Sequence, residues 1–125
     1  SSIVSPLRSR KSIGKEHTFE SDQNDHELVL EYLKQLVQSV MKRAVELGVS
    51  GRLGEVKIRY TGFETHTTGR SIPVAMDEQD VFMRLASSLF ANSVDSDGSI
   101  RLIGFRLGQL EAPPSRQTVL FSEDE

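Results

Sequence analysis

Lys57, Arg59 and Thr61 stand at every second position of a stretch whose other positions are Val56, Ile58 and Tyr60. That period of two sends the apolar set to one side of a β-strand and the two cations and the hydroxyl to the other. Cations and hydroxyls on one strand face suit phosphate oxygens, which accept charge-assisted hydrogen bonds from both. A similar alternation closes the sequence's regular part: Ile103, Phe105 and Leu107 share one side, and Gly104, Arg106 and Gly108 the other. Glycines among cations leave room for a ligand backbone to approach the sheet.

The whole-chain charge of -3 conceals this division. Residues 1–20, 51–74 and 99–110 hold ten Lys/Arg against four Asp/Glu, whereas 21–50 and 75–98 hold four against ten. If the strand-like stretches form one sheet, its field is basic and its helical backing acidic, which is the footprint of a surface that meets phosphates. On alternation alone, a solvated sheet edge and a nucleic-acid surface fit equally well. Catalytic and metal chemistry find little support. His17, His26 and His66 share no ligand spacing, and Asp95-Ser-Asp-Gly98 reads as a turn. Ser, His and Asp residues are present without a nucleophile elbow or a Gly-rich phosphate loop to organise them.

The elements that must carry these residues follow from periodicity. Lys15 to Glu20 reads as a short strand with Phe19 inward and His17 packed beside it. Asn24 with Glu27 is a capping-box pattern. Val29, Tyr32/Leu33, Leu36, Val40, Ala44 and Leu47 then recur at helical spacing up to Gly48. Glu55 onward is a strand, and Thr65 to Val74, interrupted by Gly69 and Pro73, pairs with it through a turn near Phe63 and Glu64. Asp77 and Asp80 open a second helix with the stripe Val81/Phe82, Leu85/Ala86 and Leu89. Met41 and Met83 belong to the core. Ile100 to Leu110 is the last strand.

The expected fold is α+β, in the order β-α-β-β-α-β, with a four-stranded antiparallel sheet and two helices on one face. Its open face is expected to show Lys57, Arg59, Thr61, Thr68, Arg70 and Arg106. Residues 11–111 form the domain, 1–10 a basic tether and 112–125 a flexible tail. The absence of Cys, of an apolar signal core and of a membrane-length apolar run points to a cytoplasmic protein with no membrane partner.

Three segments in this order carry a more specific pattern: Arg10-Lys-Ser-Ile-Gly-Lys-Glu-His-Thr-Phe19, Thr67-Thr-Gly-Arg-Ser-Ile-Pro73 and Ile100-Arg-Leu-Ile-Gly-Phe-Arg-Leu107. Together they resemble the little finger domain of Y-family translesion DNA polymerases, most closely the bacterial DinB class. The resemblance implies a sheet lying in the major groove of primer-template duplex DNA and holding backbone phosphates, beside palm, fingers and thumb domains. It places phosphate contacts on Lys15, Thr18, Thr67, Thr68, Arg70, Arg101 and Arg106, to which alternation adds Lys57, Arg59 and Thr61. Alternation itself sets Arg101 on the side of Ile103. Family members often carry a basic residue at Thr68 and an Arg at Leu102, so this chain's grip departs from theirs at both positions.

The same resemblance puts the catalytic carboxylates and their Mg²⁺ ions in the palm, outside this chain, so the fragment itself carries no catalytic residues and no cofactor. After Pro113-Pro114, the run Gln117-Thr-Val-Leu-Phe121 is similar to bacterial sliding-clamp-binding peptides. There Gln117 would hydrogen-bond at a pocket rim while Leu120 and Phe121 fill it. Two other readings remain: an RNA-binding module on the same topology, and a protein-interaction module acting through the tail alone. RNA-binding sheets usually present aromatic rings for base stacking, and the outward positions here are cations and Thr.

Overall fold

A computed structural model describes residues 12–62 and 64–112, so the tether, the tail and the side chain of Phe63 lie outside the described residues. The elements are β1 (Ser12–Gln23), α1 (His26–Leu47), β2 (Gly51–Tyr60), β3 (Thr65–Met76), α2 (Gln79–Ser93) and β4 (Ile100–Gly108). The four strands form one antiparallel sheet in the order β1-β4-β2-β3. The expected β-α-β-β-α-β architecture is therefore present.

Apolar spacing accounts for both helices. Val29, Leu33, Leu36, Val37, Val40, Met41 and Ala44 of α1 are buried, as are Phe82, Leu85, Ala86, Leu89 and Phe90 of α2. They pack on Val56, Ile58, Ile103, Phe105 and Leu107, the alternate residues of the two central strands. Both helices thus cover one face and leave the other open. Met41 is fully in this core, and Met83 is partly buried at its margin. α1 stops at Gly48, whose φ of 70° is the left-handed conformation that ends helices at little steric cost.

The helix starts differ from expectation. Asp25, not Asn24, caps α1: its carboxylate accepts from the backbone N–H of Glu27 and Leu28 at 3.1 and 3.2 Å. Asn24 instead accepts a hydrogen bond from the Ser99 hydroxyl, tying the start of α1 to the start of β4. Glu78 occupies the cap position of α2 and its side chain makes no capping bond, so the Asp77/Asp80 pattern does not operate as a box. Replacing Asp25 by Ala is expected to cost about 1 kcal/mol in a urea titration, because one carboxylate serves two otherwise unpaired donors.

The remaining histidines and turns serve the fold. His17 stacks on Tyr32 at 4.4 Å and meets Phe19 edge-on. His26 Nε2 lies 2.9 Å from the Gly98 carbonyl. In the Asp95–Gly98 turn, Gly98 N–H donates to Asp95 O, and Asp97 N–H to the Asp95 carboxylate. The ring of Tyr60 lies against Gly98, where a Cβ would come within 2.6 Å of it. After β4, Gln109 adopts φ 53° and turns the chain back. Glu111 then exchanges two 2.8 Å backbone hydrogen bonds with Ser50 and meets Arg52 at 3.7 Å. No helix among the described residues is long and apolar enough to cross a membrane.

Candidate nucleic-acid interface on the open sheet face

Strand register decides which side chains share the open face. Four cross-strand rows lie there: Thr18–Leu102–Arg59–Thr65, Glu16–Gly104–Lys57–Thr67, Gly14–Arg106–Glu55–Gly69 and Ser12–Gly108–Leu53–Ser71. The rows are stacked two residues apart along each strand, as the pleat requires. Around Gly104 they enclose a shallow concavity of about 510 Å3, rimmed by Glu16, Lys57, Thr67, Glu55 and Arg106. Its floor is low because Gly14 and Gly104 carry no side chain. At Gly104 a Cβ would stand 3.1 Å from Glu16 Cγ, and at Gly69 one would stand 2.8 Å from Glu55 Cγ. These two glycines therefore let the carboxylate side chains lie across the strands.

Charge on this face is mixed, unlike the basic face expected. Lys57 Nζ reaches over Gly104 to Glu16 at 2.8 Å, and Arg106 pairs with Glu55. The five side chains Lys57, Arg59, Arg106, Glu16 and Glu55 nearly balance. Arg59 differs from the other two cations, because its Nε donates to the Thr65 hydroxyl at 3.3 Å and no carboxylate among the described residues pairs with it. Exposed pairs of this kind contribute about 0–1 kcal/mol each, so phosphates can displace the carboxylates at modest cost.

Residues 10–120 match the impB/mucB/samB family C-terminal domain. The chain belongs to this family, the little finger domain of Y-family DNA polymerases. It is similar to DNA polymerase IV of Exiguobacterium sibiricum, 35% identical over 112 residues that make up 90% of this chain and 31% of the relative. It is also similar to DNA polymerase IV of Methanoculleus marisnigri, 36% identical over 107 residues, 86% of this chain and 29% of the relative. The chain thus spans about three-tenths of the length of these curated relatives. Among solved structures, DinB from Sulfolobus solfataricus matches with TM-score 0.70 and 16% identity, over 82% of this chain and 29% of that one. A complex of beta-clamp processivity factor and the little finger domain of PolIV matches with TM-score 0.65 and 13% identity, over 82% and 91%. At these identities the structures speak for the fold.

Several sequence assignments land elsewhere on the little finger domain. Thr68 and Arg70 do not share the open face: they stand opposite Val56 and Gly54 on the helix side, and Thr68 Oγ1 lies 3.1 Å from Ser93 Oγ of α2. The turn is responsible. Tyr60 N–H donates to Glu64 O, which sets Arg59 opposite Thr65 and puts the odd-numbered residues of β3 beside the odd-numbered residues of β2. Thr65, Thr67, Gly69 and Ser71 are the open-face residues of β3 in consequence. Thr61 lies in that turn, with its backbone N–H donating to Ser99 O.

Arg101 belongs neither with Ile103 nor in the concavity. β4 carries one more residue than β2 between Leu102 and Ile100, a bulge that takes Arg101 out of the alternation. Its guanidinium donates to Phe19 O and Asp22, both at 3.1 Å. Lys15 stands opposite buried Phe105, so its side chain leaves β1 on the helix side, and the residue borders the concavity only at the sheet edge. Thr18 is exposed on the open face. Glu16, Glu55, Thr65 and Gly14 were the residues missed by sequence reasoning. Glu55 was findable, since it shares the odd-numbered side with Lys57 and Arg59. The clamp-peptide residues Gln117, Leu120 and Phe121 lie outside the described residues.

Proposed function

We propose that this domain grips primer-template duplex DNA by its backbone phosphates through the open sheet face, as part of a translesion DNA polymerase whose palm, fingers and thumb hold the catalytic Mg²⁺ ions. The observation that carries this reading is the glycine-floored concavity ringed by Lys57, Arg106 and Thr67, with Arg59 beside it, in a chain of the little finger family. The glycine floor admits a bulky polyanion close to the strand backbone once the Glu16 and Glu55 side chains that lie across it give way. Arg59 is available to a phosphate without losing an ion pair, and Lys57 and Arg106 exchange a carboxylate for a phosphate. The four open-face rows contain no aromatic ring, which disfavours base stacking and so single-stranded RNA.

A second contact, with a sliding clamp through Gln117, Leu120 and Phe121, is supported by the peptide pattern and by the likeness to a little finger domain solved with a beta-clamp. The test of the DNA reading is fluorescence anisotropy of the chain with primer-template duplex across a salt series, with single-stranded RNA as competitor. Log affinity is expected to fall against log salt with a slope of about -2 to -4, shallower than open cations would give because two of them start out paired. Absence of binding at low salt, or equal competition by RNA, would sink the reading.

A further inference from the structure

The concavity on the open face does not end at β1. A second groove of about 390 Å3 lies between β1 and the C-terminal half of α1, and it shares Gly14 and Lys15 with the first. Its other walls include Ser39, Lys42, Arg43 and Glu46. β1 is an edge strand with no neighbour beyond it among the described residues, so the two hollows meet around that edge with Gly14 as the saddle between them.

Nothing among the described residues requires a glycine at position 14. Its φ is not among the positive values, and a Cβ there would make only ordinary contacts of 3.4 and 3.5 Å to Phe105 O and the Arg106 side chain. Gly104 and Gly69, by contrast, are filled by neighbouring glutamates. A residue that the fold would accept with a side chain, yet carries none, leaves the saddle low for something outside the chain. The charges on the far side have a matching character. Lys15 and Lys42 are exposed, and neither is paired with a carboxylate among the described residues; Arg43 is held by Glu46 at 3.4 Å. These lysines can neutralise phosphates without first giving up an ion pair, unlike Lys57 and Arg106.

We infer that the β1–α1 groove is a second phosphate-binding surface, in which Lys15 and Lys42 hold the sugar-phosphate backbone of a nucleic acid that crosses from the open face over Gly14. This rests on the reading that the open face holds nucleic acid. The occupant is a phosphodiester backbone because the groove offers separate cations and the Ser39 hydroxyl and, among the described residues, no aromatic ring for a base.

The experiment compares five forms of the whole chain in anisotropy titrations with labelled primer-template duplex over a salt series, with thermal melts on each. The double variant Lys15→Ala/Lys42→Ala is expected to bind about 10-fold more weakly at low salt and to lower the magnitude of the salt slope by about two. Gly14→Val, which raises a side chain on the saddle and suits a strand, is expected to weaken binding severalfold with its melt intact. Lys34→Ala removes a cation on the same helix outside the groove and is expected to leave the slope unchanged. Arg59→Ala reports on the open face itself. If Arg59→Ala weakens binding while the double variant binds and titrates like the parent, the groove proposal is overturned and the sheet reading stands. An equal loss of slope in Lys34→Ala also overturns it, since the effect is then one of net charge. If Arg59→Ala has no effect either, the sheet reading fails and the groove proposal with it.

Discussion

Replacing Lys57, Arg59 and Arg106 together by Ala is expected to weaken duplex DNA binding by about 100-fold at low salt, while the salt slope falls by less than the three charges removed. The two effects separate because the cations are not equivalent. Arg59 has no carboxylate partner among the described residues and contributes a full counterion-releasing contact. Lys57 and Arg106 sit on Glu16 and Glu55, so a phosphate that binds them leaves a carboxylate behind to be screened by salt. Removing those two cations strips the carboxylates of their partners, and the bare charges then repel the phosphates. The reverse substitution, Glu16→Gln with Glu55→Gln, is expected to tighten binding severalfold and steepen the salt slope by about one to two. Both are read by anisotropy on the same duplex. A triple variant that binds like the parent would remove the open face from consideration.

Replacing Phe82 by Ala is expected to destabilise the domain by about 3–5 kcal/mol. The ring is fully buried at the centre of the helix–sheet interface, 6.5 Å from the ring of Phe105. It also comes up against Gly54 of β2, where a Cβ would stand 3.3 Å from the Phe82 ring and 2.8 Å from Leu85. The glycine is there because α2 lies so close to the strand. That closeness also limits how far the site can collapse around a missing ring, which puts the cost at the upper part of the range. Since a domain's whole stability is about 5–15 kcal/mol, a large share is lost. Urea unfolding checks it: the midpoint should drop with the m-value unchanged. A shift under about 1 kcal/mol would mean that the interface repacks.

The parts of this architecture that local periodicity controls were legible in the sequence. The α1 stripe from Val29 to Ala44, its stop at Gly48 and the alternation of Val56, Ile58 and Tyr60 each follow from residues within a few positions of one another. The helix caps were off by one because Asn24 and Asp25 are both competent, and only the tertiary bond from Ser99 to Asn24 separates them. The site was less legible than the fold. Thr68 and Arg70 were put on the wrong face because the phase of β3 depends on how the Tyr60–Glu64 turn closes, and a one-residue change in phase exchanges the two faces. The pairing of Lys57 with Glu16 spans 41 residues and passes across Gly104 of a third strand, which no local pattern encodes. Arg101 escaped alternation through a bulge of a single residue.

The return of the chain at Gln109 has a mechanical consequence. β4 is a central strand and carries Arg106, yet it is not the first part of the domain to feel tension from the C-terminal direction. A pull on residues past Ala112 loads the paired Ser50–Glu111 backbone bonds and the Arg52–Glu111 contact before it reaches Gly108. Ser50 itself stands between α1 and β2, so the force is handed to the loop beneath the helix layer and not along the strand. The clasp acts as a strain relief for β4: tension from past Ala112 reaches Ser50 and Arg52 before it reaches Arg106.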